Sequence, residues 1–159
     1  MKATNNKSIQ AFLVAAMLPV LGFGCLPAQK HSSYRSIHEY ARDGDLADVQ
    51  AVLELNTNNL NLPDDAGMTP LHLAASYCHT NVVLFLLHKG ANINSLAKGG
   101  ATPLHVAAQE GCADTVSLLL SMGASLNARD DQGRTPLKRA ELWHQDAVVE
   151  ILRQHGGTD

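Results

Sequence analysis

The feature that most constrains the fold is a short motif that returns every 33 residues. It reads TPLHLAA from Thr69, TPLHVAA from Thr102 and TPL from Thr135. An aliphatic stretch follows each copy, and a glycine then ends it, at Gly90, Gly123 and Gly156. One unit of this length cannot bury its own apolar face, whereas a stack of similar units can. The sequence therefore predicts stacked repeats whose stability arises mainly between neighbours.

Each unit predicts a pair of short helices. Thr102 suits an N-cap because its hydroxyl accepts a free backbone N–H, and the proline after it suits the first helical position. The small pair Ala107 and Ala108 keeps this helix thin. Apolar residues at helical spacing, such as Val116 and Leu119, predict a second helix that carries more of the core. The final glycine suits the left-handed backbone that ends a helix.

The period and the TPLH and AA motifs resemble the ankyrin-repeat family. The resemblance implies an all-α solenoid of about four stacked helix-turn-helix repeats with β-turn fingers. We assign residues 29–35 to a linker, 36–63 to an N-terminal cap repeat, 64–96 and 97–129 to two repeats, and 130–159 to a C-terminal cap repeat. Lys138, Arg139 and Glu141 are expected to give the last repeat a charged outer face. Nothing after Gly157 is expected to be ordered.

Residues 1–28 have the layout of a secretory signal peptide. Lys2 and Lys7 give a positive start, and the largely apolar stretch that follows carries no charge. Pro19 and the shortness of the apolar core argue against a membrane-spanning helix. We therefore predict a protein that is exported to the bacterial envelope.

Two interpretations of the cleavage site remain open. Gly24 and Cys25 resemble the end of a bacterial lipoprotein signal, although Gly22 stands where that family usually has leucine. In this interpretation Cys25 is lipidated, and the lipid is the only contact with the membrane. Cleavage after Ala28 would instead release a soluble periplasmic protein.

The histidines and cysteines could have structural roles or catalytic and metal-binding roles. His72 and His105 recur at one repeat position, so we interpret them as structural, and the resemblance implies bonds to the backbone and the neighbouring threonine. Cys78 stands where the next repeat has Gly111, which predicts a strained left-handed backbone.

A metal or redox role for Cys78, His79 and Cys112 is kept as an alternative. Packed helices lie about 8–10 Å apart, whereas a disulfide needs Cα atoms within about 7 Å, so a crosslink is the less favoured interpretation. Zinc is disfavoured further for want of a fourth ligand.

No catalytic arrangement stands out in the chain. There is no obvious nucleophile with a base, phosphate-binding glycine loop or carboxylate pair, so we predict no enzyme activity, no cofactor and no metal. The acidic pairs that begin at Asp64 and Asp130 are interpreted as turn chemistry. A net charge of -3 and the absence of a Lys/Arg run argue against nucleic acid as a partner.

The resemblance implies that a partner protein binds the finger tips and the exposed side of the first helices. The candidate residues are Asp65, Met68, Ser76, Tyr77, Lys98, Ala101, Gln109, Glu110, Gln132, Arg134 and Trp143. Tyr77 and Trp143 lead because aromatic residues are enriched in binding hot spots. Trp143 has a second interpretation, as a cap residue that covers the last interface.

These observations predict a non-catalytic protein-binding module of the bacterial envelope, which binds, protects or inhibits a partner and is itself a monomer. The alternatives are a small metal- or redox-linked envelope protein and an immunity-type inhibitor of a toxin.

Overall fold

The computed structural model describes residues 35–159, which form eight α-helices and one short 3-10 helix. In chain order they are α1 (Ile37–Asp43), α2 (Leu46–Leu55), the 3-10 helix (Thr57–Asn61), α3 (Pro70–Ser76), α4 (Thr80–His88), α5 (Pro103–Glu110), α6 (Ala113–Ser121), α7 (Pro136–Leu142) and α8 (Asp146–Gln154). No strand occurs between residues 35 and 159. The all-α prediction is confirmed.

The helices pair into four units that stack in chain order. The first helices of the units, α1, α3, α5 and α7, pack against one another in an inner row, and the second helices form an outer row. Contacts are more extensive within the inner row, where Ala74, Ala75 and Ala107 are fully buried. Their small side chains let neighbouring backbones approach closely. The inner row is the tighter one, and we refer to the side of the stack that carries it as the concave surface.

A continuous apolar core runs between the two rows. Leu71 and Leu104 are fully buried in the second and third repeats, and Leu137 in the fourth is 4% exposed. Val82 and Val116 from the outer row are also fully buried. Each of these side chains removes apolar surface from water, which contributes about 1.5–3 kcal/mol for a fully buried Val or Leu. The core is therefore shared between repeats.

The helix termini follow the predicted capping chemistry. The Oγ1 of Thr135 accepts a hydrogen bond from the backbone N–H of Lys138 at 3.1 Å, and Thr102 caps α5 in the same way. Ser36 begins α1 with a reciprocal capping box, in which Glu39 accepts the N–H of Ser36 at 2.8 Å. The first repeat thus begins its inner helix without the Thr-Pro pair.

The loops between repeats form the predicted fingers, and neighbouring fingers bond to each other. The backbone N–H of Lys98 donates to the carbonyl of Ala66 at 2.9 Å, and that of Asp131 donates to Gly99 at 3.0 Å. Within the first of these fingers, the carboxylate of Asp64 accepts the N–H groups of Ala66 and Met68, both at 2.8 Å. The acidic residue is therefore part of the turn, as expected.

The last repeat differs from the prediction in two respects. Arg139 is only 8% exposed, so it does not belong to a charged outer face, although Lys138 and Glu141 do form a partly exposed ion pair at 3.2 Å. The expectation of disorder after Gly157 is wrong as well. The N–H of Thr158 donates to Asn127 at 2.9 Å, and its carbonyl accepts the hydroxyl of Thr135 at 2.8 Å.

A row of asparagines, absent from the sequence-based prediction, also connects the repeats. Asn61, Asn94 and Asn127 recur at the repeat period, and each side-chain oxygen accepts a backbone N–H from the next unit. The three distances are all 2.9 Å.

The predictions for residues 1–34, including the signal peptide and the lipidation of Cys25, lie outside the described residues. Among the helices of residues 35–159, none combines the length and apolar composition needed to cross a bilayer.

Candidate partner-binding surface

The concave side of the stack presents the ends of the inner helices. Each inner helix ends in two residues at equivalent repeat positions, which are Arg42-Asp43, Ser76-Tyr77, Gln109-Glu110 and Leu142-Trp143. Tyr77 is 53% exposed, Leu142 is 54% exposed and Trp143 is 58% exposed. Large apolar side chains are therefore exposed to solvent in the second and fourth repeats.

The exposure of Trp143 favours its interpretation as a contact residue over its interpretation as a cap residue. A residue that covers the last interface would be largely buried, whereas more than half of Trp143 faces water. Its backbone N–H donates to the carbonyl of Arg139 at 3.1 Å, at the residue that ends α7. The indole of Trp143 is therefore exposed to solvent.

The remaining candidates divide by exposure. Those that are exposed are Asp65, Lys98, Glu110 and Gln132. Those that are half-buried are Met68, Ser76, Gln109 and Arg134. Met68 packs against the apolar core, and Arg134 forms an ion pair with Asp130. Ala101 is 5% exposed, so its prediction as a contact residue is wrong, because it lies between two repeats.

The two recurring histidines join consecutive repeats. In the second repeat, Nδ1 of His72 accepts the backbone N–H of Thr69 at 3.1 Å, and Nε2 donates to the carbonyl of Ala101 at 3.1 Å. His105 repeats the pattern with Thr102 at 3.2 Å and the carbonyl of Arg134 at 3.0 Å. Burial lowers the pKa of both histidines, because it disfavours the charged ring. The structural interpretation is consistent with these contacts.

Cys78 and Cys112 form a disulfide between the second and third repeats, with Cα atoms 5.1 Å apart. The crosslink was the less favoured interpretation of the sequence, and it forms because the two residues come from loops and not from the helix axes. Cys78 has the predicted left-handed backbone, with φ at 58°. His144 occupies the same position in the last repeat, with φ at 56°.

His79 makes a structural hydrogen bond between two repeats. Its Nε2 donates to the carbonyl of Arg42 at 2.8 Å and ties the first repeat to the second. Within residues 35–159, no three His, Cys, Asp or Glu side chains are grouped closely enough to hold a metal ion. Of the residues proposed for the metal alternative, Cys78 and Cys112 form the disulfide and His79 forms an interrepeat hydrogen bond.

A buried ion cluster in the last repeat was missed by the sequence analysis. Oδ2 of Asp130 accepts Nε of Arg139 at 3.0 Å and Nη2 at 2.9 Å, and it also accepts Nε of Arg134 at 2.9 Å. The sequence did contain a signal for this cluster, since Arg139 stands where the preceding repeat has Val106. A charged residue at an apolar repeat position needs a partner.

The environment of Asp130 favours its ionised form. Burial by itself would raise the pKa of this carboxyl group. The backbone N–H of Arg134 and the guanidinium groups of Arg139 and Arg134 outweigh that effect and hold the pKa well below its usual value. The cluster also positions Gln109, whose Oε1 accepts Nη1 of Arg139 at 3.3 Å. The last repeat is thereby fixed to the surface formed by the third.

Comparison with known proteins supports the repeat architecture. A family model described as ankyrin repeats (3 copies) matches residues 5–97 and 90–159. The human ankyrin repeat domain-containing protein 7 is 35% identical over 60 residues, which cover 38% of this chain and 24% of that protein. The human DNA-binding protein RFXANK is 40% identical over 63 residues, which cover 40% of this chain and 24% of that protein.

A third relative is an enzyme by name. The mouse 60 kDa lysophospholipase is 50% identical over 50 residues, which cover 31% of this chain and 9% of that protein. This chain thus spans a quarter or less of each of the three relatives.

Proposed function

The chain belongs to the ankyrin-repeat family, whose repeats form protein–protein interaction modules, and we propose that this one binds another exported protein of the bacterial envelope through its concave surface. In this proposal the bound partner is held, protected or inhibited, and the repeat domain itself does no chemistry. The ends of the inner helices supply the apolar part of the proposed interface, and the finger tips supply its polar rim.

The observation that carries the proposal is the exposure of Tyr77 and Trp143 at the same repeat position. They lie two repeats apart on one row, with exposures of 53% and 58%. Aromatic residues are enriched among the side chains that dominate binding energy. Glu110 lies between them in the row and, with Lys98 on the neighbouring finger, adds exposed charge. Such a mixture of apolar and polar groups is typical of protein interfaces.

Export is supported by two independent observations. The first is the positive start and uncharged apolar stretch of residues 1–28. The second is the Cys78–Cys112 crosslink, because disulfides persist in oxidising compartments and are rare in the cytosol. A lipid on Cys25 or cleavage after Ala28 completes the proposal in either of its two forms.

Binding is tested by affinity capture from an envelope extract with four versions of the mature protein. The versions are the unchanged chain, Tyr77→Ala, Trp143→Ala and Leu84→Ala, the last of which alters an exposed apolar residue on the outer row. We expect one protein to be retained by the unchanged chain and by Leu84→Ala, and to be depleted at least about tenfold by either concave variant. Equal recovery by all four versions would argue against the concave surface.

Location is tested by intact mass of the mature protein and by cell fractionation. A mass that corresponds to a chain beginning at lipidated Cys25, or at Gln29, agrees with export. An uncut chain that remains in the cytosolic fraction contradicts it.

A further inference from the structure

The crosslinked cysteines occupy two different repeat positions that meet at every interface of the stack. Cys78 holds the left-handed position that Gly44 and Gly111 hold in the first and third repeats. Cys112 holds the position of His79 and of a glutamine in the fourth repeat, Gln145.

The glycines show how close the two positions are. A Cβ atom on Gly44 would lie 2.6 Å from Nδ1 of His79, and one on Gly111 would lie 2.2 Å from Oε1 of Gln145. Two cysteines at these positions therefore face each other because of the stacking register. The second and third repeats are the pair at which both positions are cysteine.

The two cysteine residues differ in their exposure to solvent. Cys78 is exposed, whereas Cys112 is 3% exposed and belongs to the core. A shallow, open depression of ≈ 300 Å³ is lined by both cysteines and by Thr80, Asp114 and Thr115. An incoming thiol can reach the bond from the Cys78 side, and access decides which sulfur of a disulfide is attacked.

We propose that Cys78 is a thiol–disulfide exchange site, at which a small or protein dithiol reversibly opens the link between the second and third repeats. A thiolate of the dithiol attacks Sγ of Cys78 and forms a new S–S bond with it. The Cys78–Cys112 bond breaks, and its electron pair leaves on Sγ of Cys112, which takes up a proton. The second thiolate of the dithiol then attacks its own partner sulfur and releases Cys78, which is protonated. The protein gains two electrons and two protons, and the dithiol becomes a disulfide.

The reduced protein has a ready contact for the thiol that it gains in the core. Sγ of Cys112 lies 3.8 Å from the carbonyl of Ser76, within reach of a weak S–H hydrogen bond. The same bond is made at the other two interfaces, by His79 to Arg42 at 2.8 Å and by Gln145 to Gln109 at 3.0 Å.

This correspondence explains how the fold accommodates both redox states. At two interfaces the repeats stack with the interrepeat hydrogen bond and no crosslink. Reduction gives the interface between the second and third repeats the same arrangement. Opening of the crosslink therefore leaves the stack folded.

The left-handed backbone of Cys78 supports a role beyond packing. Glycine is the default residue where φ is positive, and a cysteine there is strained. Strained residues persist where the surrounding structure holds them, and they concentrate at functional positions. Tyr77 precedes Cys78 directly, so the exchange site borders the concave surface without depending on any partner.

The test uses the full chain with Cys25→Ser, which leaves Cys78 and Cys112 as its cysteines. The protein is purified without reductant, incubated with glutathione, quenched with acid and digested for mass spectrometry. We expect the glutathione adduct on Cys78 and a free thiol on Cys112. An adduct on Cys112, or a protein whose two thiols fail to pair under oxidant, overturns the proposal.

Two single-cysteine variants provide a second measurement. In the same background, Cys112→Ser leaves Cys78, and Cys78→Gly leaves Cys112 with the glycine that other repeats carry. Circular dichroism confirms that both are folded. Oxidised glutathione should modify Cys78 at least about tenfold faster than Cys112, because access controls the exchange rate. Equal rates, or a faster reaction at Cys112, contradict the assignment of the exchange site.

Discussion

The Nε2 atom of His72 donates a hydrogen bond to the backbone carbonyl of Ala101, 3.1 Å away in the next repeat. The same ring accepts the backbone N–H of Thr69, so one side chain caps its own helix and joins two repeats. His105 makes the same pair of contacts one period later. Both functions need a neutral ring, which accepts at one nitrogen and donates at the other. The stack therefore depends on two buried histidines that remain neutral.

We predict that stability falls as the pH is lowered from about 6.5, the ordinary pKa of histidine in the unfolded chain. Burial lowers the pKa of His72 and His105 in the folded protein, so the unfolded state binds more protons in the interval between the two values. The stabilisation is complete above the unfolded pKa and is lost as the pH falls toward the folded values. The slope is at most about 1.4 kcal/mol per pH unit for each histidine.

Urea unfolding at several pH values between about 7.5 and 5 measures this slope. His105→Gln is the matched variant, because it removes one of the two titrating rings, and it should show a shallower slope. A free energy of unfolding that is independent of pH in this range would contradict the prediction.

Arg139→Met should destabilise the last repeat strongly. The substitution removes a guanidinium group from the buried carboxylate of Asp130, whose Oδ2 it contacts through two nitrogens. Breaking one side of a buried pair costs about 3–5 kcal/mol, and the contact with Arg134 should keep the loss near the lower figure. The control is Arg153→Ala, which removes an exposed ion pair with Glu141 and should cost less than about 1 kcal/mol. Chemical denaturation compares the two, and similar losses would show that Asp130 does not need Arg139.

Gly111→Ala should cost more than Gly133→Ala. Both glycines have positive φ, at 77° and 72°, so both substitutions carry the strain of a left-handed backbone, about 1–2 kcal/mol. A Cβ on Gly111 also meets the side chain of Gln145, whereas a Cβ on Gly133 meets nothing within 4 Å. The clash displaces the Gln145–Gln109 hydrogen bond and adds about 1 kcal/mol. Thermal or urea unfolding of the pair isolates this difference, and equal losses would show that the Gln145 side chain moves aside freely.

Reduction should lower the stability of the chain by about 2–4 kcal/mol without unfolding it, because the crosslink restricts the unfolded chain between positions 34 residues apart. Comparison of Cys78→Gly with Cys78→Ala separates the backbone strain from the crosslink. Neither variant can form the disulfide, but glycine relieves the left-handed strain and should be more stable by about 1 kcal/mol. Denaturation curves with and without dithiothreitol measure both effects. Unchanged stability on reduction would mean that the crosslink does not stabilise the folded chain.

Much of the local structure could be predicted from the sequence because its causes lie within one repeat. Thr102 caps its helix, and Gly111 adopts the left-handed backbone, for reasons of covalent geometry and near-neighbour hydrogen bonding. Cys78 could be placed in the same strained conformation from its alignment with Gly111. The recurrence of His72 and His105 likewise predicted a structural role.

The sequence alone determined that this chain is a stack of helical pairs and which side chains begin, end and fill each helix. The tertiary structure alone decided which residues meet across the interfaces: Cys78 with Cys112, Arg139 with Gln109, and Thr158 with Asn127. The physical reason is the difference between separation along the chain and distance in space. A period along the chain fixes equivalent positions, but side chains that touch between repeats occupy positions that are not equivalent. Their proximity depends on the offset and tilt of one packed unit against the next, which arise only when the core is buried.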